Sequence, residues 1–101
     1  MRIPIHSVTD LGLAIRAVRR QSRVRIDDLA ATAGLSKQFT QDVEHGKPTV
    51  QLGRVLKLLT ELGLPLEVEI PDDAAPMLAS LRSAGSSMRD KTRPPASKRR
   101  S

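Results

Sequence analysis

Ser36, Lys37, Gln38 and Gln41 bring a hydroxyl, an ammonium and two amides together within six residues. On a helix they lie away from Phe39 and Val43, whose apolar side faces the other way. A glutamine amide pairs bidentately with adenine, and a lysine pairs with guanine O6 and N7. The chemistry on offer is recognition of base edges. Immediately upstream, Leu29, Ala30 and Ala33 give a short helix its own apolar side. Gly34 supplies a turn position with φ > 0 at no steric cost. Ala30 is small, as a steep helix crossing requires. Residues 26–47 therefore read as two short helices and a tight turn, a motif that lays its second helix in the major groove of DNA.

Bond-making chemistry finds little support. His6 and His45 are far apart, there is no cysteine, and no nucleophile–base set, HExxH or glycine-rich phosphate loop is present. Asp27-Asp28 and Asp72-Asp73 are adjacent pairs, which diverge on a helix; dipole and cap roles explain them. The reading is a non-enzyme with no catalytic residue, no metal and no cofactor.

Composition narrows the partner. The 101 residues hold one aromatic residue, Phe39. Single-stranded nucleic acid and RNA modules stack bases on aromatic platforms, so duplex DNA is the better match. The net charge is +6, and all of it resides after Leu81. Residues 1–81 carry ten basic and ten acidic side chains, yet Arg16, Arg19, Arg20, Arg23 and Arg25 run without an acid between them. A localised basic face is compatible with a neutral domain. No apolar run approaches the roughly 18 residues of a membrane span. The N-terminus lacks the apolar run of a signal peptide, so a cytoplasmic, nucleoid-associated location is expected. A chain of this size buries only about 60–65% of its unfolded surface, and dimerisation would relieve that marginality.

The elements that position the motif can be placed in order. Residues 1–8 form an arm, in which Pro4 demotes Ile3–Ile5 to an edge strand or extended segment. Ser7 and Asp10 fit a capping box. Leu11, Ile15 and Val18 then mark one face of a first helix ending near Gln21 or Ser22. The second helix covers about 26–33, with Arg25 where a capping Ser or Thr belongs. The third runs from Ser36 to about Glu44, stopped by Gly46 and Pro48. Thr49 caps a fourth, whose stripe is Leu52, Val55, Leu56, Leu59 and Leu62. Gly53 inside it suggests a close helix contact. Leu66, Val68 and Ile70 alternate as a half-buried strand. A lone strand leaves one row of backbone groups unpaired. The simplest partner is the same strand of a second protomer; the alternatives are the Ile3–Ile5 arm or no regular strand. The domain thus spans 9–71. Residues 72–82 follow as a short helix with Asp73 as cap, and 83–101 as a disordered basic tail.

Taken together, Ile15-Arg16, Arg19, Leu29-Ala30, Gly34-Leu35-Ser36 and Glu44-His45-Gly46-Lys47 resemble the helix-turn-helix of the XRE/Cro/phage-repressor family over roughly residues 9–64. The resemblance implies an all-α, lambda-repressor-like domain of four to five helices. Phe39, Asp42-Val43-Glu44 and Gly46-Lys47-Pro48-Thr49, then the leucine-rich helix and Leu64-Pro65-Leu66-Glu67-Val68, look like HipB-like antitoxins. That likeness implies a homodimer joined partly through the short strand. It also implies repression of the protein's own operon, and neutralisation of a HipA-like serine/threonine kinase toxin. A stand-alone repressor and a toxin-neutralising protein with minor DNA binding are the alternatives.

Within that frame, Ser36, Lys37, Gln38 and Gln41 are the base-contact candidates, and Arg25, Lys47 and Thr49 the phosphate-contact candidates. Asp42 either accepts from a cytosine amine or faces solvent. Phe39 either fills the core or touches a thymine methyl. Arg19 and Glu44 match a structural salt bridge of the phage-repressor relatives. Where the family has Thr-Gln at the start of the second helix, this chain has Arg25-Ile26, leaving Arg25 as the phosphate candidate there. Thr40 occupies a position usually held by Ile or Val, and its hydroxyl needs a carbonyl one turn back. The tail adds non-specific DNA affinity or serves as a protease handle.

Overall fold

The computed structural model describes residues 1–89, and those residues are helical wherever they are regular: α1 (Val8–Gln21), α2 (Ile26–Ala33), α3 (Lys37–Glu44), α4 (Leu52–Glu61) and α5 (Ala75–Arg89), the last preceded by a 3₁₀ turn at Asp72–Ala74. The chain divides into two units, Met1–Leu66 and a second that begins at Glu67. The first contains the core: Ile15, Leu29, Val43, Val55, Leu58 and Leu59, with Leu11, Val24, Phe39 and Val50 packed around it. In it α1 and α2 both pack on α3, and α2 packs on α4.

Local chemistry explains the helix starts. Ser7 Oγ accepts from Asp10 N at 3.1 Å, while Asp10 Oδ2 accepts from His6 N at 2.9 Å. The Ser7 cap satisfies one orphan donor of α1, and the Asp10 carboxylate reaches back to the residue before the cap, a variant of the capping box. No side chain caps α2 at Arg25, but Asp27 and Asp28 in its first turn suit the positive end of the dipole. The far end of α1 is unusual. Arg23, not a glycine, takes the left-handed conformation with φ of 59°. The cost for a residue with a Cβ is about 1–2 kcal/mol. What it achieves is the placement of Val24, whose carbonyl accepts from Arg19 Nη1 at 3.0 Å.

Several expectations are corrected. Thr49 does not cap α4: the cap position is Gln51, no side chain bonds there, and the helix starts at Leu52. Val50 packs against the core, and the helix starts two residues after it. The buried face of α4 is Val55, Leu58 and Leu59, while Leu52 and Leu56 are exposed. A Cβ on Gly53 would meet nothing within 4 Å, so no close helix contact explains it. Within the single chain residues 64–71 form no regular element and Leu66, Val68 and Ile70 are exposed; the expected strand pairing across a dimer involves a second chain. In the second unit, α5 continues through residues 83–89, which were expected to be disordered. The tail beyond Arg89 lies outside the described residues. No helix of the described residues is long and apolar enough to cross a membrane.

The tie between α1 and α3 is the Arg19–Glu44 pair. Arg19 Nε and Nη2 donate to Glu44 Oε2 and Oε1 at 2.5 and 2.9 Å, a two-bond fork that fits planar guanidinium to carboxylate. Glu44 is only 3% exposed. Its hydrogen bonds raise the Arg19 pKa above the ordinary arginine value, outweighing the lowering by burial. A raised basic pKa stabilises the fold at every pH below the unfolded value and is lost only as pH climbs through the folded one. Arg19's side of the pair therefore stays charged through neutral and mildly alkaline pH. Removing Glu44 strands a largely buried guanidinium, at a cost of about 3–5 kcal/mol. Glu44→Ala should lower unfolding stability by that amount in urea titration, against a total of about 5–15 kcal/mol for a domain. A loss below about 1 kcal/mol, the usual worth of an exposed pair, would refute the role.

Candidate nucleic-acid interface

α3 is eight residues long, too short to persist on its own in water. Its direction is set at both ends. At the start, Ser36 Oγ accepts from Phe39 N at 3.0 Å. The Ser36 carbonyl takes both the Thr40 amide at 3.1 Å and the Thr40 hydroxyl at 3.0 Å. Thr40 is fully buried, and that bond satisfies the hydroxyl its position had to accommodate. At the finish, Gly46 has φ of 77°, and a Cβ there would fall 2.7 Å from the Thr9 Cα. Both conformation and space demand glycine at this stop.

With Thr40, Val43 and Glu44 buried, the side of α3 left uncovered presents Lys37, Gln38 and Gln41. Ser36 lies just ahead of them. Lys37 and Gln38 are exposed and Gln41 is half-buried. Ser36 spends its oxygen on the cap, though its hydroxyl proton is still available to donate.

Two carboxylates organise the polar face. Asp27 Oδ1 lies 3.1 Å from Lys37 Nζ, and its Oδ2 lies 3.5 Å from Arg25 Nη2. One acid of α2 thus gathers a base-contact candidate and a phosphate-contact candidate across the turn. Asp42 does the same on α3. Its Oδ1 accepts from Gln38 Nε2 at 2.9 Å and its Oδ2 lies 3.6 Å from Lys47 Nζ. Asp42, read as facing either solvent or a cytosine, is engaged within the protein. Thr49 is exposed in the turn before α4. Arg25, Lys37 and Lys47 keep more than half of their side-chain surface in solvent. Pairs that exposed contribute about 0–1 kcal/mol each, so they can be exchanged at small cost.

Phe39 is half-buried and packs on the core. Its ring face carries a residue the sequence reading passed over: the Arg54 guanidinium carbon lies 5.9 Å from the ring centroid. The one hint was that Arg54 is a basic residue in the first turn of a helix, where the dipole favours acids. Among the described residues no cluster of three His, Cys, Asp or Glu side chains could hold a metal ion. Four of the seven sequence-predicted contact candidates fall into two groups, Arg25 with Lys37 through Asp27, and Gln38 with Lys47 through Asp42, while Ser36, Gln41 and Thr49 join neither. Leu66, Val68 and Ile70 take no part in either.

No protein-family model matches the chain. It is 39% identical over 69 residues to an uncharacterized HTH-type transcriptional regulator, y4mF, of Sinorhizobium fredii (strain NBRC 101917 / NGR234), a match covering 68% of this chain and 91% of that protein. Among solved structures its fold is similar to HipB in a HipB–O4 20mer complex, with a TM-score of 0.64 and 24% identity over 70% of this chain and 100% of that one. The same values hold for a chain of a HipA–HipB–O2–O3 complex. The likeness to these structures is one of fold: an all-α, HipB-like helix-turn-helix domain.

Proposed function

Starting from a chain that belongs to the HTH-type transcriptional regulators, we propose a homodimeric repressor that reads duplex operator DNA with α3 and serves as the antitoxin of a HipA-like kinase. The carrying observation is the polar face of α3. Lys37, Gln38 and Gln41 occupy the side of the helix that its buried residues leave uncovered and are aimed by caps at both ends of the helix. Base edges are read by Lys37, Gln38 and Gln41, with Ser36 donating from the cap. Arg25, Lys47 and the backbone beside Thr49 hold phosphates, which position the protein without specifying sequence. The kinase partnership is supported by the HipB-like fold and by the HipA–HipB complex among its structural relatives.

The dimer reading rests on exposed apolar surface. Leu66, Val68 and Ile70 keep 49%, 81% and 40% of their surface in solvent. An alternating apolar segment with nothing over it is an unfilled half of a ribbon. In such a homodimer on a pseudo-palindrome the two copies of α3 would enter successive major grooves about 34–36 Å apart.

Three outcomes test this. A Lys37→Ala, Gln38→Ala, Gln41→Ala triple variant should retain its helical circular dichroism. It should lose its preference for a selected duplex over a random one by at least about a hundredfold, at about 1–3 kcal/mol per bidentate contact. An unchanged preference would remove α3 from the interface. Asp42→Ala withdraws a negative charge and frees Lys47, so affinity for random duplex should rise several-fold in fluorescence anisotropy; a fall would show that Asp42 itself serves binding. In sedimentation velocity the full chain should be a dimer at micromolar concentration and Val68→Pro a monomer, because proline cannot donate to a ladder. A dimeric Val68→Pro would exclude the ribbon.

A further inference from the structure

Arg54 is exposed in the first turn of α4. The carboxylates Asp27 and Asp42 hold Arg25, Lys37 and Lys47; Arg54 makes no ion pair with a carboxylate among the described residues. A cation in this turn sits at the positive end of the helix dipole, where it costs helix stability. Neither an acid partner nor the helix accounts for an arginine here. What holds it is the Phe39 ring, 5.9 Å from the guanidinium carbon and within cation–π range. Phe39 itself is wedged against the core, next to Gln38 on α3.

Resting on the DNA reading of α3, we infer that Arg54 is a phosphate-contact residue on the groove wall beside that helix, and that Phe39 is its positioning residue. A guanidinium held against an aromatic face keeps its edge N–H groups free. Those donors form a planar fork that matches two phosphate oxygens. The ring fixes the fork before DNA arrives, so less rotamer freedom is lost on binding. Phe39 then does two jobs from one position: its edge completes the core and its face aims a cation. A direct contact of Phe39 with a thymine methyl is not needed for either.

The test uses the full chain with two probes, a random-sequence 30-bp duplex and a duplex enriched by in vitro selection. Arg54→Ala should weaken both several-fold and to a similar degree, because phosphates carry no sequence. Its plot of log affinity against log salt should flatten by about 0.9, one released counterion. Arg54→Lys should keep the wild-type slope while losing part of the affinity, since an ammonium is a point charge without the fork. Phe39→Leu retains apolar volume and removes the ring face. It should weaken binding in the presence of Arg54 and add no loss to Arg54→Ala. An unchanged salt slope in Arg54→Ala would overturn the contact. Additive losses in the double variant would overturn the positioning role. Failure of the wild-type chain to bind either duplex would instead sink the DNA reading itself.

Discussion

The fit of α1 against the end of α3 is the constraint on which the rest depends. A Cβ on Gly12 would lie 2.3 Å from the Val43 carbonyl oxygen and 2.8 Å from that of Glu44. The two backbones touch there with no side chain between them. Such an approach brings Arg19, two turns further along α1, to Glu44, and the fork between them converts proximity into a fixed angle. Arg19 also reaches the Val24 carbonyl, so the same side chain anchors the start of the connection to α2. An eight-residue helix has no direction of its own in water. The polar face of α3 is therefore aimed by a glycine and an arginine that never belong to it.

That dependence explains a cost the fold carries elsewhere. The left-handed backbone at Arg23 is unfavourable for a residue with a side chain. It is tolerated because the turn it makes delivers Val24 to the core and its carbonyl to Arg19. Strain in one exposed residue is offset by a buried network that would otherwise lack an acceptor. Thr40 shows the opposite economy. A hydroxyl at a fully buried position is satisfied within its own helix, so the core needs no outside polar group to accept it.

Much of this was legible in the residues, and the misses share a cause. α1, α2 and α3 announce themselves through caps, periodicity and the Gly34 turn, all of which are local. The Thr40 hydroxyl bond was legible for the same reason: its partner is four residues away. Thr49 misled because a good capping residue type says nothing about Val50, which tertiary packing pulls inward. The leucine stripe of α4 included Leu52 and Leu56 because periodicity tolerates a wide apolar face, whereas the neighbours cover only part of it. The alternation of Leu66, Val68 and Ile70 reports a face that can be buried; burial itself needs a partner that one chain does not contain. Residues 83–89 read as the start of a disordered tail because Gly, Ser, Pro, Lys and Arg dominate the chain from Ser83 onward, but composition is a weak prior against helix continuation. Gly12 was invisible, and Arg54 left only the hint of a base at a helix start, because their meaning lies in what they face across space.

The charge distribution gives these details a common sense. Up to Leu81 the chain carries as many acids as bases, so its interface cannot rely on a broad positive field. Asp27 and Asp42 lie among the very cations proposed to meet DNA. Acids there lower affinity for any polyanion and at the same time hold Lys37, Gln38 and Lys47 in place. Exposed pairs of this kind are nearly neutral in energy. Exchanging a carboxylate for a phosphate therefore gains little unless bases on α3 also match. The proposed interface would thus be weak on random duplex and improve only when several contacts form together, which is the condition for sequence preference to exceed bulk attraction. Arg54, held by a ring instead of an acid, stands outside that balance, and its proposed phosphate contact would add attraction at every site.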